Sequence, residues 1–251
     1  MCNMRTPHLA LALLLAASSA SAGTVNLRWN ACFGDGGVAN RNFACDTNSG
    51  SQSLVGSFIL PHDVPGVTGN QIVVDIGTDG PSLPAWWDFK NAGTCRQGSL
   101  SANFAVPVTA VYCADWADGG AVGFLVSYTE GAFGPSSARL RVASAAPDPG
   151  ADLTAGTEYF SLTLVINNLK TVGGGACAGC SLGACIYLRG VDVTTTDSRN
   201  DMHLSPGSYQ GTYLDGLATW QGGSGVITVY GCPAATPTRN RTWGGLKSLY
   251  R

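Results

Sequence analysis

The residues with the greatest chemical potential in this chain are its cysteines. Cys177-Ala178-Gly179-Cys180 forms a CxxC pair, and Cys185 and Cys232 follow it. Four thiolates could hold a structural zinc ion in a tetrahedron. A CxxC at a helix N-terminus could serve redox chemistry, because the macrodipole there stabilises a thiolate. Here Gly173-Gly174-Gly175 precedes the pair and a strand-like run follows it, so the pattern supplies no such helix. Covalent cross-linking fits better. With Cys2 removed in a cleaved leader, Cys32, Cys45, Cys95, Cys113, Cys177, Cys180, Cys185 and Cys232 form an even set, and all are expected in disulfides. Sequence neighbours are the expected partners, Cys32–Cys45 and Cys95–Cys113. Cys177–Cys185 with Cys180–Cys232 is the choice among the three pairings open to the rest.

Three further constellations invite chemistry. Gly179-Cys180-Ser181-Leu182-Gly183 matches the GxSxG elbow of hydrolases, with Asp197 and His203 following in the order Ser, Asp, His. This serine precedes a strand within a cysteine-rich loop, whereas the elbow needs a strand-to-helix turn, so the set is expected to be inert and no catalytic residue is assigned. Trp86, Trp87 and Trp116 stand beside Asp88, Asp115 and Asp118. Flat aromatics with adjacent carboxylates are how a lectin-like face stacks and hydrogen-bonds a sugar, against the plainer reading that they close the core. These six residues are the candidate ligand site. Asp197, Asn200 and Asp201 gather oxygen ligands in one loop and are the candidate calcium ligands, although no EF-hand spacing is present. No other cofactor is implied. Only His62 and His203 follow the leader, which limits imidazole chemistry. A pair of carboxylates could hydrolyse a glycoside, but no spacing selects a pair from Asp35, Asp75, Asp79, Asp88, Asp115, Asp118, Asp192, Asp197 and Asp201. Asp-Gly at Asp35, Asp79 and Asp118 suits tight turns.

The elements that must position these groups read as strands. Period-two alternation runs through Val25–Trp29, Leu54–Leu60, Ile72–Ile76, Val122–Tyr128, Leu140–Val142 and Ile186–Leu188. In Tyr159–Ile166 the sequence places Phe160, Leu162, Leu164 and Ile166 on one face, with Tyr159, Ser161 and Thr163 on the other. Val191 and Val193 resume out of phase after Gly190, which predicts a bulge there. Val226–Tyr230 closes the series. Charged residues are only 12% of the chain and glycine is abundant at 34, so helix-surface residues are scarce and Gly-rich turns plentiful. The expected fold is an all-β, disulfide-stabilised antiparallel sandwich of jelly-roll or cohesin-like type. Ser144–Thr157 lacks apolar periodicity and is read as a long loop within one domain, 23–233, in preference to a linker between two.

The ends set the compartment. A basic start, an apolar run from Leu9 to Ala17 and the small-x-small motif Ala20-Ser21-Ala22 predict a signal peptide over 1–22. No second apolar run is long enough to span a membrane. The scattered positive charges and formal net charge of −2 give no basic stripe for nucleic acid. Residues 234–251 form a separate tail in which Trp243, Leu246, Leu249 and Tyr250 fall at helical spacing, predicting a short helical segment.

Ala155-Gly156-Thr157-Glu158-Tyr159-Phe160, the Cys177–Ile186 loop and the ending Thr242-Trp243-Gly244 to Leu249-Tyr250-Arg251 resemble uncharacterised exported bacterial proteins. The strand layout is similar to cohesin-type sandwiches. Neither resemblance implies catalytic or binding residues here. The resulting expectation is a secreted, non-catalytic binding or structural module outside the cytoplasm, whose partner is a polysaccharide or a cell-surface protein. The alternative is an exported hydrolase acting on polysaccharide.

Overall fold

Apolar alternation in this chain is resolved into strands that pair almost entirely antiparallel. The structure is a computed structural model that describes residues 24–89, 92–207 and 216–223. The leader, the Val226–Tyr230 run, Cys232 and the tail 234–251 lie outside these residues. In chain order the strands are β1 (Thr24–Trp29), β2 (Asn40–Arg41), β3 (Ser51–Ile59), β4 (Val64–Thr78), β5 (Leu100–Asn103), β6 (Ala114–Asp115), β7 (Val122–Glu130), β8 (Ser137–Ala145), β9 (Ala151–Leu153), β10 (Glu158–Asn167), β11 (Ala184–Thr195), β12 (Met202–Leu204) and β13 (Leu217–Trp220). The helical content of the described residues is two short 3-10 turns, Ala85–Trp87 and Ser198–Asn200. No helix among them is long and apolar enough to cross a membrane.

Two sheets result. The five-stranded sheet has the order β1-β3-β10-β5, with β6 joining β10, and the eight-stranded sheet has the order β2-β13-β11-β4-β8-β7, with β12 on β11 and β9 on β4. One apolar cluster joins them. Leu27, Phe58, Leu162 and Leu164 from the first sheet pack with Ile72, Val74, Leu140, Val142, Ile186 and Leu188 from the second, the arrangement of a β-sandwich. The protein is therefore all-β, as its composition and alternation predict.

Several local details depart from simple alternation. In β10 the register against β3 shifts between Phe160 and Leu162. This bulge reverses the side-chain phase. Leu162, Leu164 and Ile166 stay in the main core and Tyr159 joins them, whereas Phe160 turns to the opposite side with Val55, Cys32 and Cys113. The expected bulge at Gly190 is present, as the β11–β4 register shifts between Leu188 and Gly190. A side chain at Gly190 would bring its Cβ within 2.5 Å of His203 Cε1 and 2.9 Å of the Leu204 carbonyl, so β12 can pass only over a glycine. Within Ser144–Thr157, β9 pairs with β4 through Val64–Leu153 and Val67–Ala151.

The disulfides do not follow sequence proximity. The bonds are Cys32–Cys113, Cys45–Cys180 and Cys95–Cys177, which corrects the expected pairing of neighbours. Consecutive strands here often belong to different sheets, so cysteines close in sequence are carried apart while distant loops meet. Cys185 is also disulfide-bonded. These bonds are consistent with an oxidising environment.

Candidate functional site

The tryptophans singled out from the sequence are core residues. Trp86 and Trp87 lie on the Ala85–Trp87 turn and are fully buried, as is Trp116. Trp86 and Trp87 pack with Trp220 and Phe89, and the Trp86 and Trp220 rings lie 4.7 Å apart. The Arg96 guanidinium lies 4.0 Å from the Trp86 ring and donates to the Asn167 and Leu169 carbonyls at 2.6 Å. Burial lowers its pKa to about 10. The Tyr128 hydroxyl donates to the Trp87 carbonyl, and burial, with Glu130 and Asp88 nearby, raises that phenol well above its ordinary range. None of these rings offers a face to a sugar at the surface. Asp115 accepts from the backbone of Ala117 and Gly119 and shapes a turn in which Asp118 adopts a positive φ. The three rings thus serve the core, and Asp115 and Asp118 serve a turn.

The remaining constellations are likewise absorbed. His203 Nδ1 lies 2.6 Å from Asp192 rather than against Asp197, and Asp197 holds Arg199 through both carboxylate oxygens. Ser181 precedes β11, whereas His203 pairs opposite Asp192 near its far end. From Ala184, where β11 starts, to Asp192 the strand runs roughly 26 Å at ~3.3 Å per residue, so the Ser–Asp–His set is not assembled. In the candidate calcium loop, Asp201 accepts from the Thr195 amide and hydroxyl, and Asp197 caps the short turn. Asp75, fully buried, accepts from Arg139 at 2.7 and 2.9 Å and from Arg189 at 3.3 Å.

A different assembly emerges on the outer face of the five-stranded sheet. Val55 and Phe160, turned outward by β3 and by the β10 bulge, form a small cluster with Cys32 and Cys113, against which Val106 and Ala110 pack. The loop carrying them is Ala105–Tyr112. Its base is held by the Cys32–Cys113 bond and by Asp35, whose carboxylate accepts from the amides of Val111 (2.8 Å), Tyr112 (2.9 Å) and Cys113 (3.3 Å). Partial desolvation works against the Asp35 charge, but the Tyr112, Val111 and Cys113 amides outweigh it and hold the carboxyl below its usual range. On the other side of the disulfide, buried Glu158 accepts from the amides of Phe33 (3.0 Å) and Gly34 (2.7 Å) and from the Ser57 hydroxyl. Cys32, Cys113 and Glu158 thus come together as in a metal site, but the sulfurs are bonded to each other and are not free thiolates.

Two anchored segments therefore meet at one disulfide, and both display apolar side chains. Val108 is fully exposed, Val111 largely so, Tyr112 is 72% exposed and Phe33 50% exposed. Phe33 is steadied by the Arg28 guanidinium, 5.1 Å from its ring. A depression of about 360 Å³ adjoins this tip, with Ser53, Val55, Thr163 and Val165 as its strand-borne floor and Val106–Val108 as one wall. A second depression, of about 440 Å³, lies around the Cys45–Cys180 and Cys177 sulfurs. The tip was not singled out from sequence. Its signal is the uncharged run Phe104–Tyr112, which has no period of its own and ends at a cysteine.

No protein-family model matches the chain, and no curated protein and no solved structure matches it.

Proposed function

We propose that this protein is an exported, non-catalytic binding module that engages a protein partner, at the cell surface or beyond it, through the clamped tip formed by Phe33 and Ala105–Tyr112. The observation that carries the reading is the pairing of exposure with rigidity. Large apolar side chains left in water forgo ~1.5–3 kcal/mol each relative to full burial, and here the backbone bearing them is fixed by a disulfide and by the Asp35 and Glu158 carboxylates. Fixing a loop before association removes part of the ordering cost of binding. The chemistry favours protein over the other surfaces available outside a cell. Sugars are read by flat rings flanked by polar groups, whereas here the exposed rings of Phe33 and Tyr112 share the tip with the branched aliphatic Val108 and Val111. Anionic membranes attract basic clusters, and Phe104–Tyr112 contains no charge. The sequence pattern of the leader and the disulfides support export.

The test is a binding panel of cell-envelope proteins, glycans and lipid vesicles, comparing the natural chain with Val111→Ser/Tyr112→Ser. Saturable binding to a protein that weakens at least ~10-fold in the variant, with melting unchanged, is expected. Binding confined to glycans or vesicles, or protein binding indifferent to the variant, would refute the reading.

A further inference from the structure

We propose that β7 pairs edge to edge with β7 of a second copy of this chain, about a two-fold axis at Phe124. Among the described residues β7 ends the eight-stranded sheet and pairs with β8 alone. Along Val122–Thr129 no backbone bond to a segment other than β8 is formed among the described residues. An extended row of unpaired N–H and C=O groups is satisfied by another strand, and monomeric sheets guard such edges with Lys, Pro or very short strands. The other end of this sheet is guarded in that way, since β2 is only two residues long. β7 has nine residues and neither Lys nor Pro, and its charged residue is the terminal Glu130.

The identity of the occupant follows from the side chains. Val122, Phe124 and Val126 are 71%, 65% and 47% exposed. An antiparallel copy centred on Phe124 sets Val122 opposite Val126 and Phe124 opposite itself, so exposed apolar groups meet their like and no charge falls within the overlap. The β7–β8 register shifts between Leu125 and Ser127, which leaves Val126 as the bulged residue, and regular pairing along β7 stops at this bulge. The overlap is thereby confined to Val122–Val126, and Glu130 stays outside it. A shallow apolar groove of about 250 Å³ beside Val122, Phe124 and Ala143 gives the partner's Phe124 ring a seat. An isologous contact of this kind closes at the dimer and does not propagate.

Sedimentation of the natural chain from ~1 to ~100 µM is expected to show a monomer–dimer equilibrium. Phe124→Lys and Phe124→Asp each place like charges opposite one another at the axis and should weaken the dimer at least ~10-fold. Both variants should melt as the natural chain does, because the position is exposed. An equimolar mixture of the two should restore dimers, since Lys then faces Asp. A monomer throughout the range, dimers indifferent to both substitutions, or a mixture that stays monomeric would each overturn the proposal. Val111→Ser/Tyr112→Ser should leave the dimer intact, so failure of this contact and failure of the tip are told apart.

Discussion

Removing the Cys32–Cys113 bond by Cys32→Ala/Cys113→Ala tests whether the tip is held or merely placed. The bond joins residues separated by 81 positions. In the chain-entropy picture, closing a loop of that length restricts the unfolded chain by ~4.5 kcal/mol. For a domain of this size each kcal/mol moves Tm by ~2–4 °C, so melting should fall by ~9–18 °C. The fall should not be the only effect. The bond is also the centre of the small cluster with Val55 and Phe160, and Cys113 carries one of the amides bound by Asp35. Its loss should therefore lower hydrogen-exchange protection across Ala105–Tyr112 at temperatures well below melting, while amides in the paired centre of β4 and β11 remain protected. Calorimetry and hydrogen-exchange mass spectrometry read the two effects separately. A fall of less than ~3 °C with unchanged protection in the loop would refute the reasoning.

Other outcomes follow from individual contacts. Asp75→Ala removes the buried carboxylate and leaves the part-exposed Arg139 and Arg189 to turn toward water, so denaturant unfolding should show a loss of ~1–3 kcal/mol. The Asp35 carboxyl is held below its ordinary value of 3.8, so its contribution is present above the unfolded pKa and is lost as pH falls through the folded one. Protection factors of Val111–Cys113 should accordingly drop below pH ~4, and Asp35→Asn should flatten that dependence. Ser181→Ala should change stability by no more than ~0.5 kcal/mol and leave any esterase activity of the preparation unchanged.

The fold was legible where alternation is unbroken. β1, β3, β7, β8 and the apolar half of β4 appear in the sequence as period-two runs, and the Gly190 bulge is marked by the phase change at Val191. The short strands β2, β6, β9 and β12 are held by pairing to long neighbours rather than by a pattern of their own, and two or three residues cannot display a period. The β10 bulge was hidden because Tyr159 and Phe160 are both aromatic, so shifting the phase leaves the composition of each face almost unchanged. Disulfide connectivity was not legible either. It depends on which loops the two sheets bring together, and proximity in sequence is a poor guide when successive strands change sheets. The same limit applies to the site. Trp86, Trp87 and Trp116 next to aspartates have the composition of a sugar-binding face, and only packing reveals that the rings point inward. The tip looked like ordinary loop because its apolar residues carry no period, and exposure is a property of the folded chain.

The most direct measurement of the central claim places a photo-crosslinking amino acid at Val108 or Tyr112, and in a control chain at Leu182, which is exposed but lies on the Cys180 loop. Each chain is irradiated in the presence of the intact surface of the cells that export it. A discrete protein adduct at the two tip positions and none at Leu182 is the result predicted. Adducts of equal yield at all three positions, or an adduct at Leu182 alone, would contradict the assignment of the clamped tip as the binding surface.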